Sequence, residues 1–139
     1  HIRRRLHYEL PASTFITLIE YITIATLSNG INFGNLTVSR AHLAGTSDGH
    51  RGIFAGGGSW EIIEYFNIPT PSNSLSFGTL IAYNRYLAAT SNGSRGIIGG
   101  GYPSNTGRIE YFTISTPGNS VMFGDLVQAR DSGTGFSGD

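Results

Sequence analysis

The chain says nearly the same thing three times, and any fold proposed for it has to accommodate that. Ile19-Glu20-Tyr21-Ile22-Thr23-Ile24 returns as Ile63-Glu64-Tyr65-Phe66-Asn67-Ile68 and again as Ile109-Glu110-Tyr111-Phe112-Thr113-Ile114, in steps of 44 and then 46 residues. Phe33-Gly34-Asn35-Leu36 returns with the same two steps as Phe77-Gly78-Thr79-Leu80 and Phe123-Gly124-Asp125-Leu126. Repetition at such a period marks an array of supersecondary units, none of which can bury its apolar surface alone. A scaffold written three times offers up to three equivalent surfaces. That suits binding and assembly better than a single catalytic constellation.

Each repeat reads as four short strands. The first is Arg51-Gly52-Ile53-Phe54-Ala55, with Arg95-Gly96-Ile97-Ile98 as its counterpart, and each runs into three glycines. That glycine run permits close backbone approach. The second strand carries the Ile19, Ile63 and Ile109 motifs, rich in β-branched and aromatic residues. The third centres on Phe33, Phe77 and Phe123. The fourth covers Leu43–Thr46 and Leu87–Thr90, and its degenerate third copy is expected within Gly133–Ser137. Asp48-Gly49 and Asn92-Gly93 stand between a fourth strand and the next first strand, where they favour tight hairpin turns. Thr70-Pro71-Ser72-Asn73 and Thr116-Pro117-Gly118-Asn119 read as turns between second and third strands. On the second strand, Ile63 and Tyr65 share one face while Phe66 and Ile68 share the other, so both faces are expected to be covered. No segment shows a sustained helical period. The expectation is an all-β protein of about ten to twelve short strands.

Composition narrows the function. Only 13% of the 139 residues are charged and the formal net charge is zero, which argues against a nucleic-acid partner. With 39% hydrophobic residues the chain is not of the disordered class. It has no cysteine, so neither a disulfide framework nor a thiolate metal site is open to it. No stretch approaches the roughly 18 apolar residues of a membrane span, so membrane insertion is not expected. Residues 1–15, with Arg3, Arg4 and Arg5, read as a basic N-terminal segment with a solvated end. Residues 16–139 read as the three-repeat domain.

The repeat resembles the kelch repeat, a four-stranded propeller blade of roughly 50 residues. The residues that carry the likeness in the central copy are Gly56-Gly57-Gly58, Tyr65, Phe77 and Arg85. The closer likeness is to kelch-like arrays in tail-associated and other virion proteins of marine bacteriophages. It rests on Ile19 to Thr26, Phe33 to Thr37 and Arg51 to Gly58, and covers about residues 16 to 131. The departures are Phe where ordinary kelch repeats have Trp on the third strand, and Asn84 where the other copies have Arg40 and Arg130. Three copies are also fewer than the four to eight blades of a closed ring. The resemblance implies blades completed by oligomerisation, two chains of three blades making a ring of six. A β-trefoil or β-prism, closing the three copies on themselves, is the alternative.

Several side chains invite a functional reading. Glu20, Glu64 and Glu110 recur in every copy, and a structural role is expected, as partly buried carboxylates paired with Arg51 or Arg95. They suit a glycosidase poorly, because that chemistry needs two carboxyls in different environments. Asp48 reads as a turn residue, and Asp125 replaces Asn35 and Thr79, so no calcium loop is expected. His1, His7, His42 and His50 lack ligand spacing, and no metal or cofactor is implied. No serine sits in a nucleophile elbow followed by a placed acid and His. Trp60, Tyr83, Tyr86 and Tyr102 are the candidate ligand-binding residues. They lie at loops or strand ends and are not echoed in every copy. Aromatic faces there stack on sugar rings or pack in an interface.

The expected function is therefore a non-enzymatic interaction module. By resemblance it belongs to a virion, in a phage tail fibre or other surface appendage, where it assembles with itself or with other virion proteins. A lectin-like module for a host surface carbohydrate is the second reading, and a propeller-type glycoside hydrolase the third.

Overall fold

The computed structural model describes residues 15–103 and 107–137, and the basic N-terminal segment, with His1 and His7, lies outside them but for its last residue. Among the described residues ten strands form in chain order: β1 (Leu18–Tyr21), β2 (Ile31–Asn35), β3 (Ala44–Ser47), β4 (Arg51–Ala55), β5 (Ile62–Asn67), β6 (Leu75–Thr79), β7 (Ala88–Ser91), β8 (Arg95–Gly99), β9 (Arg108–Thr113) and β10 (Val121–Asp125). The protein is all-β, as the strand-rich repeats predict. Every pairing is antiparallel, in three sheets: β1-β2, then β3-β4-β5-β6, then β7-β8-β9-β10.

The sheets group the strands differently from the sequence reading. The segment taken as the last strand of one unit, Leu43–Thr46, overlaps β3, which instead opens the next sheet by pairing with β4, Ala44 opposite Ala55. The turn chemistry explains the correction. Asp48 Oδ1 accepts the backbone N–H groups of His50 (2.9 Å) and Arg51 (2.7 Å), and Gly49 takes φ 92°. That closes a tight hairpin between β3 and β4, whereas the segment from β2 to β3 must cross to a new sheet. The Arg51 N–H, helped by that of His50, holds the Asp48 carboxyl below its ordinary value. Asn92 and Gly93 repeat the turn between β7 and β8. Gly133–Ser137, the expected third copy of this strand, forms no strand, and no counterpart of β4 and β8 stands beside it among the described residues.

One irregularity recurs in all three sheets. The β1/β2, β5/β6 and β9/β10 registers each slip beside the glutamate, so that Phe33, Phe77 and Phe123 are bulged out of the ladder. A bulge re-aims its residue. Phe33 thereby meets Phe66 of the second sheet edge-on at 5.0 Å, and Phe77 meets Phe112 of the third at 5.3 Å. The glycine that follows lets the neighbouring sheet come close. A Cβ on Gly34 would overlap the Ser72 carbonyl, and one on Gly78 the Gly118 carbonyl.

Most of the core lies between the second and third sheets. Ile53, Ala55, Ile63, Phe77, Ile98, Phe112 and Ile114 are all almost fully buried and cluster there. β3 and β7 run side by side, tied by Ser91 Oγ donating to the Ser47 carbonyl at 2.6 Å. β5 is buried on both faces at Ile63 and Glu64, as its lack of clean alternation predicts. Among the described residues no hydrogen bond joins the first sheet to the third.

Candidate functional site

The repeated glutamates form the first site to be judged. Glu64, at the middle of β5, is fully buried. Its Oε1 accepts the Thr37 N–H at 2.7 Å and the Ser74 hydroxyl at 2.9 Å, and its Oε2 pairs with the Arg40 guanidinium. Arg40 Nε donates to the Gly56 carbonyl at 2.6 Å. Thr37 and Arg40 belong to the segment leaving the first sheet, so the carboxylate locks two sheets together. Glu110 on β9 does the same one step on. It accepts the Ile81 N–H at 2.8 Å and the Ser120 hydroxyl at 2.6 Å, and pairs with Arg108 Nε at 3.0 Å. Burial alone would raise the Glu64 pKa, but hydrogen bonds from Thr37 and the Arg40 charge outweigh it and hold the carboxyl below its ordinary value.

The arginine partners are not those expected. Arg51 stands opposite Asn67, three residues beyond Glu64, and its guanidinium lies 4.4 Å from the Tyr65 ring, on the other face of β5. It also donates to the Ile114 carbonyl at 3.1 Å, joining the second sheet to the third. Arg95 lies likewise 4.6 Å from the Tyr111 ring. The true partners, Arg40 and Arg108, follow a legible pattern. Where the first junction has Arg40 and Ile62, the second has Asn84 and Arg108. Each junction thus carries one cation for one buried carboxylate, taken from the linker in one case and from the receiving strand in the other. Asn84 keeps the other duty of Arg40, donating to the Gly100 carbonyl at 2.8 Å. The departure at Asn84 was visible in the sequence, and its compensation at Arg108 could have been read by comparing columns of the repeat. Glu20, the first copy, is exposed and has no side-chain hydrogen bond among the described residues.

The aromatic candidates fall together. The connections after β4, β6 and β8 all leave the strands at the same end, because every strand is antiparallel to the next. Trp60, Tyr83, Tyr86 and Tyr102 lie on those connections. Trp60, Tyr83 and Tyr102 are 42–49% exposed, whereas Tyr86 is half-buried. Arg85 ties two of them. It exchanges backbone hydrogen bonds with Tyr102 at 2.8 and 2.9 Å, and its guanidinium lies 5.1 Å from the Tyr102 ring and 5.7 Å from the Tyr86 ring. Asn84, beside it, donates its N–H to the Trp60 carbonyl at 3.4 Å. His42 packs its ring 4.4 Å from that of Tyr86. The sequence reading names Arg85 for the kelch likeness and weighs His42 as a metal ligand, but only the fold brings them to these rings. His42 and His50 sit at opposite ends of β3, so they cannot share a metal ion.

His42 and Tyr86 adopt φ of 63° and 57°, and Ser132, the next residue in that series, 54°. Left-handed backbone is uncommon for non-glycine residues. Its recurrence at one repeat position, whatever the side chain, assigns it to the linker geometry and not to a ligand site. No protein-family model matches the chain, and no curated protein matches it.

Proposed function

We propose that the chain is a non-enzymatic scaffold module of a bacteriophage virion, made of kelch-like propeller blades and working in a tail fibre or other surface appendage. The observation that carries the scaffold part is the duplicated junction. Glu64 and Glu110 are each buried and held by a backbone N–H, a serine hydroxyl and an arginine. Carboxylates so engaged lock sheets together and are closed to substrate, which supports a non-enzymatic reading. The sequential order β3-β4-β5-β6, repeated in β7-β8-β9-β10, is that of propeller blades. A β-trefoil or β-prism would bring the first and third repeats into direct contact. The phage setting rests on the resemblance of the quoted repeats. Antibodies raised against the chain should decorate an appendage of intact particles of the phage that encodes it. Labelling confined to the infected-cell lysate would refute the virion role.

A second reading has its own observation: Trp60, Tyr83 and Tyr102, all exposed, lie on connections at one end of the sheets, with Arg85 against the Tyr102 ring. Such rings stack on the apolar faces of sugars, so this end is proposed to bind surface carbohydrate. On a glycan array the chain should retain at least one sugar and Trp60→Ala should lose it. Failure to retain any sugar removes this reading and leaves the scaffold untouched.

A further inference from the structure

Among the described residues, nothing covers the face that the third sheet turns away from the second as the two completed junctions are covered. Phe33 and Phe77 are 6% and 4% exposed inside their junctions, whereas Phe123, the same position one copy on, is 55% exposed. Arg40 and Asn84 are buried; Arg130, their counterpart, is exposed. A Cβ on Gly124 meets nothing within 4 Å, unlike one on Gly34 or Gly78. The backbone of Asp125 corresponds to that of Asn35 and Thr79. Those residues donate N–H to Asn73 and Asn119 at 3.0 Å and accept from the backbone of Ser74 and Ser120 at 3.0 and 2.9 Å. The N–H of Val127 corresponds to those of Thr37 and Ile81, which donate to the glutamates.

The first sheet presents the complementary half of such a junction. Glu20 stands where Glu64 and Glu110 stand, and Asn29 where Asn73 and Asn119 stand. Ile22 takes the place of Phe66 and Phe112 and is 59% exposed. The position of the serines is Gly30, and a Cβ there would lie 3.2 Å from Glu20 Oε1, so the geometry of the pair is retained although the hydroxyl is not. The decisive point is the arginine. Glu64 takes its cation from the linker and has Ile62 two residues before it; Glu110 takes it from Arg108 and faces Asn84 on the linker. Glu20 has Leu18 two residues before it, and the open linker offers Arg130. In where the cation sits, the two ends therefore match the first junction, Arg130 standing for Arg40 and Leu18 for Ile62.

We infer that these chains associate head to tail, the β1-β2 sheet of one copy docking on the third sheet of another through an Arg130–Glu20 ion pair, with Phe123 packed on Ile22. The inference rests on the scaffold reading and names its contact. The interface is heterologous, so it closes into a ring if the rotation allows and otherwise extends as a filament. Residues Gly133–Ser137 point the same way. Ser132 N–H donates to the Tyr86 carbonyl at 2.9 Å, as Tyr86 N–H donates to the His42 carbonyl at 3.1 Å, so the chain is laid beside β7 as β7 is laid beside β3.

The test is sedimentation over a concentration series with the wild-type chain, Arg130→Glu and Glu20→Arg, alone and mixed. Both altered residues are exposed, so each variant should melt as the wild type does when dilute. The wild type should assemble. Each variant alone sets like charges against each other and should need roughly tenfold more protein or greater to assemble. An equimolar mixture offers two kinds of junction. One joins the unaltered end of each variant and keeps the original ion pair; the other joins the two altered ends and carries the same pair with its charges exchanged. Assembly should therefore return. A wild type that stays monomeric, variants that assemble as it does, or a mixture that stays apart each overturn the inference. None of these outcomes alters particle labelling, which decides the virion role separately.

Discussion

The two completed junctions place the same charge in two ways, and one arrangement can be grafted onto the other. Arg40→Asn deletes the cation of the first junction but keeps a donor for the Gly56 carbonyl, as Asn84 does for Gly100. Glu64 is then left fully buried with only the Thr37 N–H and the Ser74 hydroxyl. Removing one partner of a buried pair costs about 3–5 kcal/mol. The retained hydrogen bond argues for the low end, so about 3 kcal/mol, or a fall of roughly 10 °C in Tm for a domain of this size. Ile62→Arg should then restore it. Ile62 is half-buried and sits two residues before Glu64 on the same face of β5. Arg108 reaches Glu110 from that position at 3.0 Å. The double variant should recover about 2 kcal/mol, giving a coupling well outside additivity. Ile62→Arg alone, crowding Arg40, should lose about 1 kcal/mol. Urea and thermal unfolding followed by circular dichroism measure all four proteins. The reasoning fails if Arg40→Asn melts with the wild type, or if the double variant melts no higher than Arg40→Asn.

Three further outcomes are expected. Gly78→Ala drives a methyl into the Gly118 carbonyl and should cost about 2 kcal/mol, whereas Gly124→Ala, with open space, should leave the Tm of dilute protein unchanged and weaken association. Thermal melts of the two variants decide it, and equal losses would deny that the third sheet's outer face is open. Because the Glu64 pKa is lowered on folding, its contribution is present above the ordinary value of 4.5 and lost as pH falls below it. Tm should therefore fall below that pH, and less steeply in Glu64→Gln, whose loss is already taken at neutral pH. Arg51→Ala removes both a ring contact and a bond to the Ile114 carbonyl, whereas Arg95→Ala removes a ring contact alone, so the first should be the more destabilising by about 1 kcal/mol in urea titrations.

What the sequence made legible was local. Asp48-Gly49 and Asn92-Gly93 specify hairpins through their own backbone preferences, and β5 shows its two-sided burial in Ile63, Tyr65 and Phe66. The grouping of strands into sheets was not legible from the period, because periodic text has no natural starting point. The hairpin at Asp48-Gly49 does set the phase, since a tight turn binds the strands it joins. Arg51 and Arg95 were the obvious partners for the glutamates by recurrence alone. The register then carried them three residues too far along the strand, and arginines from less regular columns took the role. Trp60, Tyr83, Tyr86 and Tyr102 could be chosen as candidates, but not Arg85, whose place between two rings depends on the backbone bridge to Tyr102.

Phe33, Phe77 and Phe123 show why burial in such an array cannot be read from a repeat in isolation. All three follow the same motif and sit in the same bulge, yet two are interior and one is surface. Phe33 and Phe77 each meet a phenylalanine of the following sheet, and Phe123 meets none among the described residues. In a quasi-one-dimensional array, stability is a sum of unit and nearest-neighbour terms. At the exposed face the motif around Phe123 retains the bulge and the linker arginine that the first junction uses on its neighbour. Arg130 keeps its charge at such an end, where a purely solvent-facing linker would need neither that charge nor a bulged aromatic beside it. In the head-to-tail contact proposed above this face becomes an interior surface, and Glu20 of the next copy supplies the opposite charge at the matching place.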